Sequence, residues 1–308
     1  MPLHPVLAAR LEQLKGASDD EYWAGIAEPY GPYDPPPVVY SEAAAPRPDG
    51  DGAVPLHVFT AVDAQPGAPA LVWCHGGAFV GGAVEMFEGD GVAREVAART
   101  GGVAVSVDYR LATEELHAPK QTDDVETAWR WVYDHADELG IDPGRIAIGG
   151  ASAGAALTSA VALALRDAGG PLPSLVALAY PLVHATLPPY SHELAAKLPQ
   201  IPACFVLENV DDGIFEIYLG GPAWTANSHN MAGLCDDLTG YPRTLIINSD
   251  YDALRASGQR FAAQLAEAGV DVRVYTEPGT IHGHVNYTPT FEPVEHSLAE
   301  LAAAVAAA

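Results

Sequence analysis

Residues 145–168 join an apolar run, a tight glycine turn and a long helical pattern without a break. The run is Arg145-Ile146-Ala147-Ile148, the turn Gly149-Gly150-Ala151-Ser152-Ala153-Gly154, and an Ala/Leu-rich helix follows. A Gly150-x-Ser152-x-Gly154 element so placed is a strand turning sharply into a helix. That turn forces the serine into a strained backbone conformation and lifts its hydroxyl out of the fold. The flanking glycines leave room for the neighbouring strand and helix. The five-residue pattern recurs by chance; its place between a strand and a helix does not.

The rest of the chain keeps the same rhythm. Strand-like runs lie at 70–74, 102–107, 145–149, 174–180, 243–248 and 271–276. Helical patterns fill the gaps at about 85–99, 121–139, 152–168 and 254–268, and a last one covers 293–306. In 121–139, Val125, Ala128, Trp129, Val132, Tyr133, Ala136 and Leu139 share one face, with Gly140 as the stop. Short apolar strands alternating with helices predict a parallel sheet covered on both faces. Upstream, Val38–Ser41 and Val54–Thr60 flank Asp49-Gly50-Asp51-Gly52, a hairpin signal that adds antiparallel strands at one edge. A short amphipathic helical pattern at 5–26 precedes a Pro/Gly/Tyr-rich stretch, 28–38, too rich in breakers for regular structure.

Between about 184 and 236 no strand of core type occurs, yet the stretch carries Leu194, Leu198, Phe205, Val206, Phe215, Tyr218, Leu219 and Trp224. A structureless loop of that length does not suit a compact domain, so an inserted helical lid is expected. No internal repeat is present.

With 308 residues, 49% of them apolar and 18% charged, the chain can bury a large core. Its formal charge of −25 repels nucleic acid and anionic membrane, so neither is an expected partner. Cys74, Cys204 and Cys235 form neither a metal-spaced cluster nor an even disulfide set, which favours reduced thiols and a cytoplasmic setting. Met1–Gly16 lacks the continuous apolar stretch of a signal peptide, and the weakly polar run 151–165 is too short to span a bilayer.

A serine hydroxyl needs a base to take its proton, and the base needs an acid to fix its tautomer. In a sheet of this type all three come from loops at the carboxyl ends of strands. His282, in the Gly-flanked loop Pro278–Gly283 before the last helix, is the expected base, with His284 as its rival. His117, His135, His184, His192 and His229 lie on or near helical or lid segments and read as surface or satisfied histidines. Asp250 and Asp252 both follow the run 243–248; Asp252, just before the helix, is the expected acid, although Asp250 could fill the place or cap the turn. His75-Gly76-Gly77-Ala78-Phe79 follows the run 70–74, and its Gly-Gly turn lets peptide N–H groups face the site. Gly76, Gly77 and Ala153 are therefore the expected oxyanion donors. No G-x-G-x-x-G or Gly-Lys-Ser/Thr supports a phosphate loop. His282 and His284 with Asp250 and Asp252 could supply metal ligands, but no H-E-x-x-H or cysteine pair accompanies them.

Taken together, these residues resemble the hormone-sensitive-lipase-like branch of the α/β-hydrolases, the bacterial family IV carboxylesterases. The likeness rests on His75-Gly76-Gly77-Ala78-Phe79, Asp108-Tyr109-Arg110-Leu111-Ala112, Gly150-Ala151-Ser152-Ala153-Gly154, Asp252-Ala253-Leu254 and Ile281-His282-Gly283, in the family's order. It implies an α/β-hydrolase fold, a mostly parallel eight-stranded sheet with helices on both faces and a helical cap. The cap would comprise residues 1–40 and 184–236, over a catalytic core of 41–183 and 237–308. It further implies Ser152 as nucleophile, Asp252 as orienter, His282 as base, short- to medium-chain esters as substrates, and no cofactor or metal. A homodimer through a sheet edge or the last helix is expected from the resemblance only.

Three positions depart from the family pattern. Ala151 stands where Asp or Thr is common, Thr113 where D-Y-R-L-A is followed by Pro, and Ala253 where D-P-L has Pro; both loops are expected to be less rigid. A lactonase, amidase or thioesterase would use the same residues, whereas a non-catalytic binding protein on this scaffold would typically lack one of them. The lid acids Glu193, Glu208, Asp211, Asp212 and Glu216 hint at discrimination against anionic substrates, but a solvated acidic face accounts for them more simply.

Overall fold

The computed structural model describes residues 1–18, 21–22, 24–25, 30–206 and 212–308. Eight strands form one sheet: β1 (Val38–Pro46), β2 (Ala53–Ala61), β3 (Ala68–Cys74), β4 (Val103–Val107), β5 (Ile141–Ala151), β6 (Leu175–Ala179), β7 (Thr244–Tyr251) and β8 (Val272–Ile281). Their order across the sheet is β1-β2-β4-β3-β5-β6-β7-β8. β1 pairs antiparallel with β2, and β2 with β4; every other pairing is parallel.

The strands divide their side chains by the two-residue period of the pleat. Val72, Val105, Ile148, Leu178 and Ile246 enter the core on one face. Leu71, Trp73, Ala104, Ala147, Leu245 and Ile247 enter the core on the other. Because both faces are covered, the central strands read as continuous apolar runs, and β3, β4 and β6 are buried throughout. The first face is covered by α3 (Lys120–Asp134), α4 (Ala153–Asp167) and α7 (Arg255–Glu267), through residues such as Trp129, Leu163 and Phe261. The second is covered by α1 (Pro5–Gln13), α2 (Val92–Thr100) and α8 (Glu292–Ala306), through Leu7, Val96 and Leu298. α4 is buried on nearly all sides, which explains its alanine-rich composition: small side chains let it lie close to β5 and β3.

Several boundaries differ from the expected ones. β5 begins at Ile141, because Ile141 pairs with Ala68 before a register shift brings Ile146 opposite Ala70. The breakers Asp142-Pro143-Gly144 occupy that irregularity. β8 runs on through Pro278 and Gly279, since Ile281 pairs with Tyr251. The helix expected at 85–99 is instead a π-helical turn, Phe87–Gly91, leading into α2. In the 5–26 pattern α1 stops at Gln13, and residues 21–22 and 24–25 are helical; 19–20, 23 and 26–29 lie outside the described residues.

Within 184–236 the described residues hold short helices, among them α5 (His192–Lys197) and α6 (Asp212–Leu219), and no strand. Glu208 and Asp211, two of the lid acids, fall outside the described residues, as does the side chain of Asp212. The described residues of this segment are docked rather than loose. Tyr218 stacks on Phe79 with ring centroids 3.8 Å apart, and Phe205 and Phe215 are fully buried. Among the described residues, no helix is long and apolar enough to cross a membrane.

Candidate active site

Ser152 sits between β5 and α4 with φ 53° and ψ −115°, a left-handed conformation that side chains normally avoid. The turn is over-determined by its surroundings. The Ser152 N–H donates to the Ala179 carbonyl at 2.9 Å. A Cβ on Gly150 would lie 2.5 Å from the Gly154 backbone, and one on Gly154 would lie 2.3 Å from the Cys74 carbonyl oxygen. Both glycines are therefore required by close approach of the backbone of α4 to the end of β3.

Two further loops meet the serine at the carboxyl end of the sheet. His282, just past β8, places Nε2 2.9 Å from Ser152 Oγ. Its Nδ1 lies 2.8 Å from Asp252 Oδ2, in the turn between β7 and α7. The other carboxylate oxygen accepts the Leu254 N–H at 2.8 Å, and Asp252 is fully buried. A carboxylate only accepts, so Nδ1 carries the ring proton and Nε2 is left to accept the hydroxyl proton of Ser152. The Tyr180 ring packs edge-on against His282, with centroids 4.8 Å apart.

The rival residues are engaged elsewhere. His284 is buried between the Ser249 hydroxyl at 2.8 Å and the Ser297 hydroxyl at 2.9 Å. Asp250 takes the Lys197 ammonium, the Arg255 guanidinium and the Gly279 N–H. Lys197 and Arg255 also pair with the exposed Glu193, so this ion cluster ties α5 to the turns that carry Asp252 and His282. His117, His135, His184 and His229 bond to Ile217, Trp131, Ser257 with Gln264, and Asp167 respectively, away from Ser152. Among the described residues, no group of three His, Cys, Asp or Glu side chains is arranged to hold a metal ion.

Burial, with a smaller contribution from the charge of His282, pushes the His284 imidazole down to about 3. The unfolded chain then binds a proton near pH 6.5 that the folded chain refuses until about pH 3. This contribution to stability is full above pH 6.5 and falls as the pH drops through that window. Urea titrations between pH 7 and 4 should show stability falling with a slope that His284→Gln reduces, by at most about 1.4 kcal/mol per pH unit. An unchanged slope in that variant would remove His284 as the cause.

The glycine loop after β3 corrects one expectation. The Gly76 N–H does not face the serine; it donates to the Glu88 carboxylate at 2.7 Å. Among the described residues, the N–H groups of Gly77, Ala78 and Ala153 have no acceptor. Gly77 has φ 125°, and Ala78 and Phe79 follow at 52° and 68°, so the chain turns its amides inward over three successive residues. A Cβ at Gly77 would fall 2.0 Å from the Gly81 carbonyl oxygen, which leaves glycine as the residue that fits. Nothing in the sequence marks Glu88 as the partner of Gly76, since it is one of four acids, with Glu85, Asp90 and Glu95, in the run 85–99.

The three loops open into a cavity of about 380 Å³, whose apolar wall includes Met86, Leu182, Ile214 and Leu254. Ser152, His282, Gly77 and Ala78 lie at its polar end with Glu88 and Asn286. The described lid acids do not line it: Glu193 belongs to the ion cluster, and Glu216 borders an outer groove beside Glu114. A larger groove of about 510 Å³ lies between β1 and α3, where Arg47 and Arg110 are paired with Asp124.

A profile of the alpha/beta hydrolase fold matches residues 71–286. The chain belongs to the hormone-sensitive-lipase-like α/β-hydrolases. Carboxylesterase NlhH of Mycobacterium tuberculosis is 35% identical to it over 244 residues, 78% of this chain and 73% of that protein. Esterase LipI of the same organism is 35% identical over 225 residues, 72% and 68% of the two chains. Among solved structures, the Pyrobaculum calidifontis esterase superposes with a TM-score of 0.82 at 29% identity, covering 99% of both chains. A bacterial heroin esterase superposes with a TM-score of 0.78 at 31% identity, covering 99% of this chain and 93% of that one. Against the family pattern, Thr113 replaces some of the rigidity of a proline: its hydroxyl accepts the N–H groups of Glu115 and Leu116 at 3.2 and 3.1 Å. Ala151 and Ala253 are simply buried in apolar clusters.

Proposed function

We propose that this chain, a carboxylic ester hydrolase, works by two-step acyl transfer through Ser152. His282 takes the Ser152 proton as Oγ attacks the ester carbonyl, and Asp252 holds the imidazole in the tautomer that can accept it. The developing oxyanion is met by the N–H groups of Gly77, Ala78 and Ala153, which need no reorganisation because the backbone already holds them. His282 then protonates the departing alcohol. Water enters, loses a proton to the same imidazole, and releases the acid as Ser152 recovers its hydrogen. Residues 184–236, with 1–40, act as the cap that closes the cavity over 41–183 and 237–308, and the cavity's apolar wall suits short to medium acyl chains.

The observation that carries this reading is the continuous bond path from Ser152 Oγ through His282 to Asp252, at 2.9 and 2.8 Å, opening beside three unsatisfied amides. The test is a series of p-nitrophenyl esters of graded chain length, assayed before and after a serine-directed phosphonate. Turnover should peak at short to medium chains and vanish with one phosphonate added at Ser152. Full activity after stoichiometric labelling at Ser152 would defeat the proposal.

A further inference from the structure

Glu88 stands apart from every other buried carboxylate among the described residues. Glu95 is paired with Arg99, Asp124 with Arg47 and Arg110, Asp250 with Lys197 and Arg255, Asp252 with His282, and Glu277 with His296. Glu88 is 2% exposed and has only neutral partners: the Gly76 N–H at 2.7 Å on one oxygen and the Tyr180 hydroxyl at 2.5 Å on the other. A buried anion without a countercharge is costly, and proteins ordinarily pair it. Each carboxylate oxygen has a second lone pair, so capacity to accept remains.

Its position gives that capacity a use. Glu88 lines the same cavity as Ser152, and among the described residues no lysine or arginine does. The point 2.5 Å from its Oε2, where a Cβ on Gly76 would sit, is 3.1 Å from Ser152 Cβ, so the carboxylate lies beside the serine. It is carried on the π-helical turn Phe87–Gly91, a rare geometry that recurs at functional sites. The turn is anchored on both sides: the Glu88 carbonyl accepts from Trp73 Nε1 at 2.6 Å, and its N–H donates to Asn286 at 3.3 Å.

We infer that the substrate supplies the missing countercharge: the preferred esters carry an ammonium group within a few bonds of the scissile carbonyl, held by Glu88. This rests on the acyl-transfer reading above and adds the substrate class to it. Glu88 is then a specificity-determining residue, and the net charge of −25 draws such cations toward the molecule from a distance.

Two isosteric pairs test it and distinguish the side of the ester that carries the charge. On the acyl side, ethyl 3-aminopropanoate is compared with ethyl butanoate. On the alcohol side, protonated 2-(dimethylamino)ethyl butanoate, which keeps one N–H, is compared with 3-methylbutyl butanoate. In one pair kcat/KM should favour the cation by about 10- to 100-fold, the contribution of one charge-assisted hydrogen bond. High salt screens the general surface field but not a buried contact, so most of that ratio should survive it. Glu88→Gln should bring the ratio close to one, whatever it does to the rates themselves. A second measurement needs no variant: n-butylammonium should compete with ethyl butanoate at concentrations at least about tenfold below those of n-butanol. Ratios near one in both pairs, a ratio unmoved by Glu88→Gln, or equal inhibition by amine and alcohol would overturn the inference while ester hydrolysis stands. Failure to turn over any of the four esters would instead remove the acyl-transfer reading.

Discussion

Ser152→Ala is expected to lower kcat for any ester by on the order of 10⁵- to 10⁶-fold while the protein stays folded. On the proposed mechanism the loss is this large because the Ser152 oxygen forms the covalent bond, and His282 and Asp252 have nothing to activate without it. What remains is binding and the backbone amides, which alone retain a small acceleration over water. The fold should tolerate the change. Alanine keeps the Cβ, so the positive φ of residue 152 is neither relieved nor worsened, and the 2.9 Å bond from its N–H to Ala179 is untouched. His282 keeps its bond to Asp252. The check is kcat on a p-nitrophenyl ester beside a thermal melt; a variant with wild-type melting and more than a tenth of the activity would displace Ser152.

Much of this architecture was legible because burial repeats with a fixed period. The apolar runs of β3, β4 and β6 are buried on both faces, and so they stand out whatever their neighbours do. The elbow was legible because its glycines answer to backbone contacts only a few residues away in the chain or on the adjacent strand. What could not be read depended on distant partners. Which amide of His75–Ala78 is free is decided by Glu88, twelve residues on, and by the positive φ values of three successive residues. Asp252 is the expected acid, but what occupies its rival was not legible: Asp250 pairs with Lys197, fifty-three residues away in the chain, while Asp252 meets His282. The extensions of β5 and β8 run through Pro143 and Pro278, where local preference argues against a strand and pairing with a neighbour overrides it.

The ion cluster around Asp250 also ties the segment 184–236 to the turns that carry Asp252 and His282. Lys197 belongs to α5, whereas Asp250 and Arg255 flank Asp252 in the chain, and Gly279, held by the second oxygen of Asp250, lies three residues before His282. A displacement of α5 therefore strains the two turns that set the distance from acid to base. With the Phe79–Tyr218 stack, the glycine loop and the turns that carry Asp252 and His282 are each linked to a side chain of the 184–236 segment.

Asp252→Asn is the second large effect, expected to cost about 10⁴-fold in kcat near neutral pH. One oxygen of Asp252 accepts from Leu254 N–H and the other from His282 Nδ1–H. Asparagine has a single carbonyl oxygen, and the backbone N–H of Leu254 can only donate, so that oxygen remains with Leu254. The amide NH₂ then faces His282, where it donates to Nδ1 and drives the ring proton to Nε2. In that tautomer Nε2 cannot accept the Ser152 proton, and the imidazolium formed during reaction also loses its countercharge. The side chains are nearly the same size and the site is fully buried, so packing survives. Labelling by a serine-directed phosphonate should slow in parallel with kcat, because both require the activated hydroxyl. Asp250→Asn provides the contrast: it weakens the cluster with Lys197 and Arg255 but leaves the His282 tautomer alone, and its effect on labelling should be far smaller. Equal losses in the two variants would mean that Asp252 acts through the fold of its loop rather than through the imidazole.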